Sequence, residues 1–169
     1  MKLASKFTVL AATPLLLSAC AGFTPLYATP GLTPALEAIE VTTPQSRAGF
    51  MLRESIDDEF AHKLDQPSLY RLNLRVDERR FPRGLRVNNV ASDVELDMRV
   101  NYELVDKKTG AKLTQGFVPI SVFYVSADAP YAGIAAQQDA QERAAAQVAI
   151  QIRLDLSRYF AAKVAKAAP

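Results

Sequence analysis

The sequence predicts an α+β fold in which two helices pack on one face of a four-stranded mixed sheet. Several segments alternate apolar and polar residues with a period of two, as strands with one buried face do. Two longer segments repeat apolar residues every three or four positions, which is typical of amphipathic helices. The predicted order is strand, helix, strand, strand, strand, helix. Packing both helices on the apolar side of one sheet buries every apolar face.

The first three strands are predicted from this alternation, and the fourth is predicted to follow the hairpin turn at residues 106–110. The first covers residues 38–42, where Ile39 and Val41 point the same way. The fourth, over residues 112–125, contains Pro119, which predicts an edge strand or a bulge because proline cannot donate to a strand ladder. The apolar members of the two strands between them are Tyr70, Leu72, Leu74 and Val76, and then Val94, Leu96, Met98, Val100, Tyr102 and Leu104.

The two helices are predicted from their apolar stripes. The first is expected to begin at Thr43-Pro44, as N-cap and first-turn proline, and to end near Leu64. The second is expected over residues 128–164. The stripes consist of Leu52, Ile56, Phe60 and Leu64, and of Val148, Ile152, Leu156 and Tyr159. Ile150 and Leu154 lie roughly opposite the second stripe. They form either a second apolar strip for a partner or two scattered surface residues, which are common.

The N-terminus predicts a lipid anchor. Lys2 and Lys6 precede a short apolar core, which ends in Leu17-Ser18-Ala19-Cys20, and Cys20 is the only cysteine. This segment resembles a bacterial lipobox, which implies that a diacylglycerol is attached to the Cys20 sulfur and that the chain is cleaved before it. The core is too short for a permanent membrane helix. Ala21, where enteric lipoproteins retained in the inner membrane have Asp, implies an outer-membrane location facing the periplasm.

We therefore expect four parts. Residues 1–19 are a signal peptide, 20–35 a lipidated and extended proline-rich tether, 36–165 a single domain, and 166–169 a tail. Removal of the signal peptide takes two of the 20 basic residues, so that 18 basic residues face 18 acidic ones. A neutral chain of this kind is not expected to bind nucleic acid.

The sequence offers no constellation for catalysis and no expected cofactor or metal. If Cys20 is lipidated, no thiol nucleophile remains, and one histidine leaves too few ligands for a typical metal site. His62 follows Asp58 by one helical turn, and a solvated helix face is the favoured interpretation of that pair. A lipoprotein hydrolase would need a catalytic group that the sequence does not supply.

A cluster of basic residues suggests anion binding instead. Six arginines fall within sixteen residues, and arginine binds phosphate through two donors at once. Arg71 and Arg75 on the strand face are expected to pair with the facing acidic strand. The candidate phosphate ligands lie at the strand end and in a loop predicted over residues 81–89, and they are Arg79, Arg80, Arg83 and Arg86. Lys107 and Lys108, with Lys112 nearby, form a smaller cluster in the glycine turn at residues 106–110, at the opposite end of the sheet.

These features resemble the lipopolysaccharide-assembly lipoproteins, the small subunits of the outer-membrane lipopolysaccharide translocon. The resemblance rests on the segment Cys20–Tyr27, similar to a Cys-Gly-Phe-x-Pro-Leu-Tyr start with Ala21 added, on the order of elements, and on the Ala/Gln/Arg-rich last helix. It implies a non-enzymatic protein that plugs a β-barrel partner, assists its assembly and contacts lipopolysaccharide. The alternative is a periplasmic lipoprotein accessory of an ABC-type lipid or solute transporter.

The lipobox yields a direct prediction. Cys20→Ala should abolish incorporation of a fatty-acid probe into the protein, because the sulfur that receives the lipid is gone, and the uncleaved precursor should accumulate. Labelling is measured in cells after purification of the chain. Persistent labelling of the variant would show that another residue is modified.

Overall fold

The structure is a computed structural model and describes residues 31–61, 67–85, 91–126 and 129–167. Within these ranges the elements are α1 (Leu32–Glu37), β1 (Ile39–Thr42), α2 (Arg47–Phe60), β2 (Tyr70–Leu85), β3 (Ala91–Asp106), β4 (Lys112–Val125) and α3 (Pro130–Ala167). The strands form one sheet in the order β1-β2-β3-β4, with β1 parallel to β2 and the other pairs antiparallel. The predicted α+β class and mixed sheet are confirmed, with the short helix α1 added.

The period-two alternation of β3 divides the sheet into a buried face and an open face. The predicted apolar members of β3, from Val94 to Leu104, are all buried. They lie opposite β2 in a register that pairs Leu72 with Leu104 and Val76 with Val100. Helices α2 and α3 cover this face, and their buried residues join those of the strands in one core. The other face of the sheet has no element of the described chain packed on it.

Helix α2 is shorter than predicted at both ends. Its N-cap is Ser46, whose side-chain oxygen accepts a hydrogen bond from the backbone N–H of Gly49 at 3.1 Å. The chain comes close to itself just before the helix. A Cβ on Gly49 would lie 2.1 Å from the carbonyl oxygen of Pro44, so a residue with a side chain would not fit there without a shift of the backbone. The prediction of Thr43-Pro44 as the start is therefore wrong. The helix ends at Phe60, with Ala61 in a left-handed conformation, and Leu64 lies outside the described residues.

The proline-rich segment before β1 is partly helical. Residues 32–35 of the predicted tether belong to α1, so the prediction of an extended chain is wrong there. Pro34 fits because it lies in the first turn, where a helix does not use the backbone N–H groups. Leu32 and Leu36 are buried in the main core. The lipobox and the start of the tether, including Cys20, lie outside the described residues.

Strand β2 extends through the segment predicted as a loop. It pairs with β3 as far as Leu85, with register shifts beside Gly84 that leave Arg83 unmatched in a bulge. The prediction failed because Pro82 and Gly84 are common in loops. Strand β1 pairs only with residues 70–73, so the part of β2 towards Leu85 has a described strand, β3, on one side only. Proline is tolerated on such an edge because no partner strand needs its missing backbone N–H. Pro119 lies in the edge strand β4, as predicted.

Tyr102 links the sheet to α3. Its ring lies across from Gly116 of β4, where a Cβ would approach the ring to 2.4 Å. Its hydroxyl donates to Oδ2 of Asp155 at 3.2 Å. Burial, reinforced by the negative charge of Asp155, raises the pKa of Tyr102 to about 12. Both effects favour the neutral phenol, so this contact stabilises the fold only while the hydroxyl keeps its proton.

Tyr102→Phe should lower the free energy of unfolding at pH 7 by about 1 kcal/mol, the usual net contribution of one hydrogen bond. The difference between wild type and variant should shrink as the pH rises from 10 towards 12. An unfolded tyrosine ionises near pH 10, whereas the folded one resists ionisation, so ionisation favours the unfolded wild-type chain and cannot affect phenylalanine. Urea unfolding of wild type and variant, at pH 7 and then between pH 10 and 12, measures this difference in the free energy of unfolding. A difference that does not change with pH would contradict the assignment.

Candidate ligand and partner surfaces

The alternation of β2 separates the predicted arginine cluster onto two faces of the sheet. Arg80 lies opposite the fully buried Leu96 and donates through Nη1 to Oε1 of Gln137 in α3 at 2.8 Å, so it points to the helix side. Arg79 and Arg83 point to the open face. Arg86 lies outside the described residues. Among the described members of the predicted cluster, Arg80 therefore lies on the opposite face from Arg79 and Arg83.

Acidic neighbours already pair with the arginines of the open face. Arg79 Nε lies 2.9 Å from Oδ2 of Asp77, and Arg83 contacts the carboxylate of Glu95 through two nitrogens. One strand further, Arg99 pairs with Asp97 at 2.8 Å. The carboxylates of Glu95 and Asp97 are largely covered, while their arginines stay exposed. This surface therefore presents oriented guanidinium groups without a strong net charge.

Exposed phenylalanines flank these ion pairs. Phe81 of β2 and Phe123 of β4 both lie opposite Glu95 of β3, one on each side, and both are exposed. The guanidinium carbon of Arg83 lies 5.7 Å from the centre of the Phe81 ring. Phe117 is exposed on the same face. We call six of the arginines and phenylalanines of this face the open-face patch. Its members are Arg79, Arg83, Arg99, Phe81, Phe117 and Phe123.

The sequence interpretation missed the phenylalanines of β4. It placed β4 after the hairpin turn and considered only Pro119 within it, without following the alternation that places Phe117 and Phe123 beside the arginines. It also assigned partners incorrectly to two arginines. Arg71 pairs across strands with Glu40 of β1 at 3.7 Å, and Arg75 forms no ion pair with the described residues. Arg75 lines a shallow depression of about 780 Å³ on the open face.

The lysine turn lies at the far end of the sheet, as predicted. Tyr70, where β2 begins, is opposite Asp106, whereas the arginine end is at Glu95. Lys107 is not a free cation, because its Nζ lies 2.7 Å from Oε2 of Glu40. The hydrogen bond from Lys107 outweighs the opposing effect of burial and holds the pKa of Glu40 below its usual value. The backbone N–H of Lys108 donates to Oδ1 of Asp106 at 2.9 Å, and this bond orders the turn.

The outer surface of α3 contains the predicted partner residues. Ile150 is 42% exposed, whereas Leu154 is half-buried. No group of three or more histidine, cysteine, aspartate or glutamate side chains is arranged to hold a metal ion in the described part of the chain. His62 lies outside that part. None of the described helices combines the length and apolar character needed to cross a membrane.

Comparisons with known proteins point to a single family. The family model LptE, described as lipopolysaccharide-assembly, matches residues 36–156. A candidate lipoprotein from Caulobacter crescentus CB15, known from its crystal structure, is 49% identical; the match covers 79% of this chain and 97% of that one, with a TM-score of 0.70. The rare lipoprotein B from Shewanella oneidensis shares the fold at 14% identity, with a TM-score of 0.52 and coverage of 71% and 92%. Curated proteins yielded no match.

Proposed function

Because this chain belongs to the lipopolysaccharide-assembly family LptE, we propose that it is a non-enzymatic lipoprotein that plugs a β-barrel partner and assists lipopolysaccharide transport at the outer membrane. The match over residues 36–156 is the observation that carries the proposal, and it covers most of the folded domain. Cys20 anchors the protein to the membrane from the periplasmic side. Lipids on one residue suffice to tether a domain that does not itself enter the bilayer.

Both sides of the domain suit a position inside the β-barrel partner. A sheet with an exposed polar face fits a wet barrel lumen, where polar side chains keep their hydration. The outer surface of α3 offers Ile150 and part of Leu154 to the wall of the partner. Packing one exposed aliphatic side chain against a partner contributes up to about 1.5–3 kcal/mol, so a few such contacts can hold a plug.

The open-face patch suits lipopolysaccharide, an amphiphile with phosphates and acyl chains. Arg79 and Arg83 offer donors in the planar arrangement that phosphate accepts. Phe81 and Phe123 lie beside them and can contact apolar chains. Arg80, Arg86, Lys107 and Lys108 are further candidates at other positions of the molecule. Because ion pairs neutralise the patch, a phosphate must compete with Asp77 and Glu95 for the guanidinium groups.

We predict that Arg79→Gln/Arg83→Gln weakens binding of the isolated domain to immobilised lipopolysaccharide by about three- to tenfold, since each exposed charge contact contributes up to about 1 kcal/mol. The remaining binding should depend less on salt. The matched control is Arg53→Gln/Arg158→Gln, which removes two equally charged, ion-paired arginines from the helix layer. Equal losses in both variants would show that net charge, and not the patch, governs binding.

For the partner, Ile150→Asp should reduce recovery of the β-barrel with the tethered protein by about tenfold, because a charge would be buried at an apolar contact. Val164→Asp is the control, since Val164 is 44% exposed on the same helix. Leu154 is left unchanged because it is half-buried. Circular dichroism checks that both variants fold. Recovery of an inner-membrane transporter with the wild type would instead favour a transport accessory.

A further inference from the structure

We propose that a groove between α2 and α3 binds a segment of the partner protein that bears lysine or arginine side chains around one apolar anchor. This inference rests on the proposed function, since it needs a protein partner. It concerns the helix side of the domain and is separate from the open-face patch. The groove has a volume of about 710 Å³. Its lining consists of Arg47, Phe50, Met51, Glu54, Ser55, Asp58, Glu142 and Ala146.

The groove exposes apolar surface that the fold does not use. Phe50 is 68% exposed although it lies in the first turns of α2, next to residues that anchor the helix in the core. Met51 is half-buried beside it, and Ala146 contributes the opposite wall. Ile150 follows Ala146 by one helical turn, so it continues the same wall beyond the groove. An exposed aromatic ring in a concave site is a typical anchor point for a partner side chain.

The charges of the helix layer are distributed unevenly. Four acidic residues of α2 and α3 outside the groove are paired with arginines, at distances between 2.8 and 3.5 Å. They are Asp57, Glu59, Asp139 and Asp155. In contrast, Glu54, Asp58 and Glu142 form no ion pair with the described residues, and all three line the groove. Arg47 is the basic residue of the lining, so the groove is negative overall.

This arrangement selects a basic peptide over other ligands. The three carboxylates come from two helices and do not form a metal-binding group among the described residues. A negative surface repels lipid phosphates, so lipopolysaccharide is not its ligand. Glu54 and Asp58 are separated by one helical turn, about 6 Å along the groove, a spacing that successive basic side chains of one segment can match. The apolar anchor would supply affinity, and the charges would supply orientation and association rate.

The first test identifies what lies at the groove. A photo-crosslinking amino acid replaces Phe50 in the full, lipidated chain, in cells that also produce the β-barrel, and Tyr131, which is 87% exposed, carries the same group as a control. Mass spectrometry maps the crosslinked peptide. We expect Phe50 to link to a barrel segment with at least two lysine or arginine residues near the linked position. Linkage to lipopolysaccharide, to a segment without basic residues, or to nothing would overturn the proposal.

The second test measures the charges. Glu54→Gln/Glu142→Gln removes one carboxylate of the groove from each helix, and Asp57→Asn/Asp139→Asn removes one ion-paired carboxylate from each helix outside it. We expect the groove variant to associate with the purified barrel about threefold or more slowly at low salt, with the control near wild type. Equal association rates for the wild type and both variants would overturn this inference alone. Failure of the wild type to bind the barrel overturns the proposed function as well.

Discussion

The strict alternation of side chains along β2 and β3 is the constraint on which the rest of this structure depends. Because β3 places six consecutive alternate residues in the core, its register with β2 cannot slip by one residue without exposing them. The same alternation forces the remaining residues of both strands onto the open face. The helices must then lie together on the apolar side. The open-face patch and the groove between the helices are therefore on opposite sides of the domain.

This separation gives the two sides different electrostatic character, although the chain would carry no net charge after the predicted removal of residues 1–19. On the open face, carboxylates such as Glu95 lie beneath exposed arginines, so donors are presented in fixed directions while the charge is balanced. On the helix side, the arginines pair with carboxylates outside the groove, and the carboxylates of the groove form no ion pair within the part of the chain that the structure describes. The protein would thus distinguish a phosphate-bearing amphiphile from a basic peptide by the local geometry and charge of each side. A neutral chain has no overall electrostatic field that could separate the two ligands.

Much of the fold could be predicted from local patterns, and the failures have physical causes. The alternation of β3 and the stripe of α3 were confirmed because burial of one face leaves a periodic record in the sequence. The end of β2 was missed because Pro82 and Gly84 signal a loop unless the strand is known to lie at an edge with a bulge. The start of α2 was misplaced because Thr43-Pro44 and Ser46 are both acceptable starts by sequence, and only the structure shows that Ser46 caps the backbone N–H of Gly49.

The candidate site was harder to predict than the fold, because a charged residue's partner depends on tertiary contacts. The sequence analysis grouped Lys107 with Lys108 as a candidate site, but parallel pairing of β1 with β2 places Glu40 within reach of the Lys107 amine. The spacing of Arg79 and Arg80 suggested one cluster, although adjacent strand residues point to opposite faces. Conversely, the groove between α2 and α3 has no sequence signature, since its unpaired carboxylates are recognised only after the ion pairs of their neighbours are known.

The most direct test of the two-sided account is the protection of single cysteines from a thiol reagent, in a chain whose own Cys20 is replaced by alanine. Ser121→Cys reports on the open face and Ala146→Cys on the groove, and both positions are exposed. The account predicts that lipopolysaccharide slows modification at position 121 and not at 146, whereas the barrel slows it at 146 even without lipopolysaccharide. Protection of position 146 by lipopolysaccharide alone would contradict the assignment of the two sides.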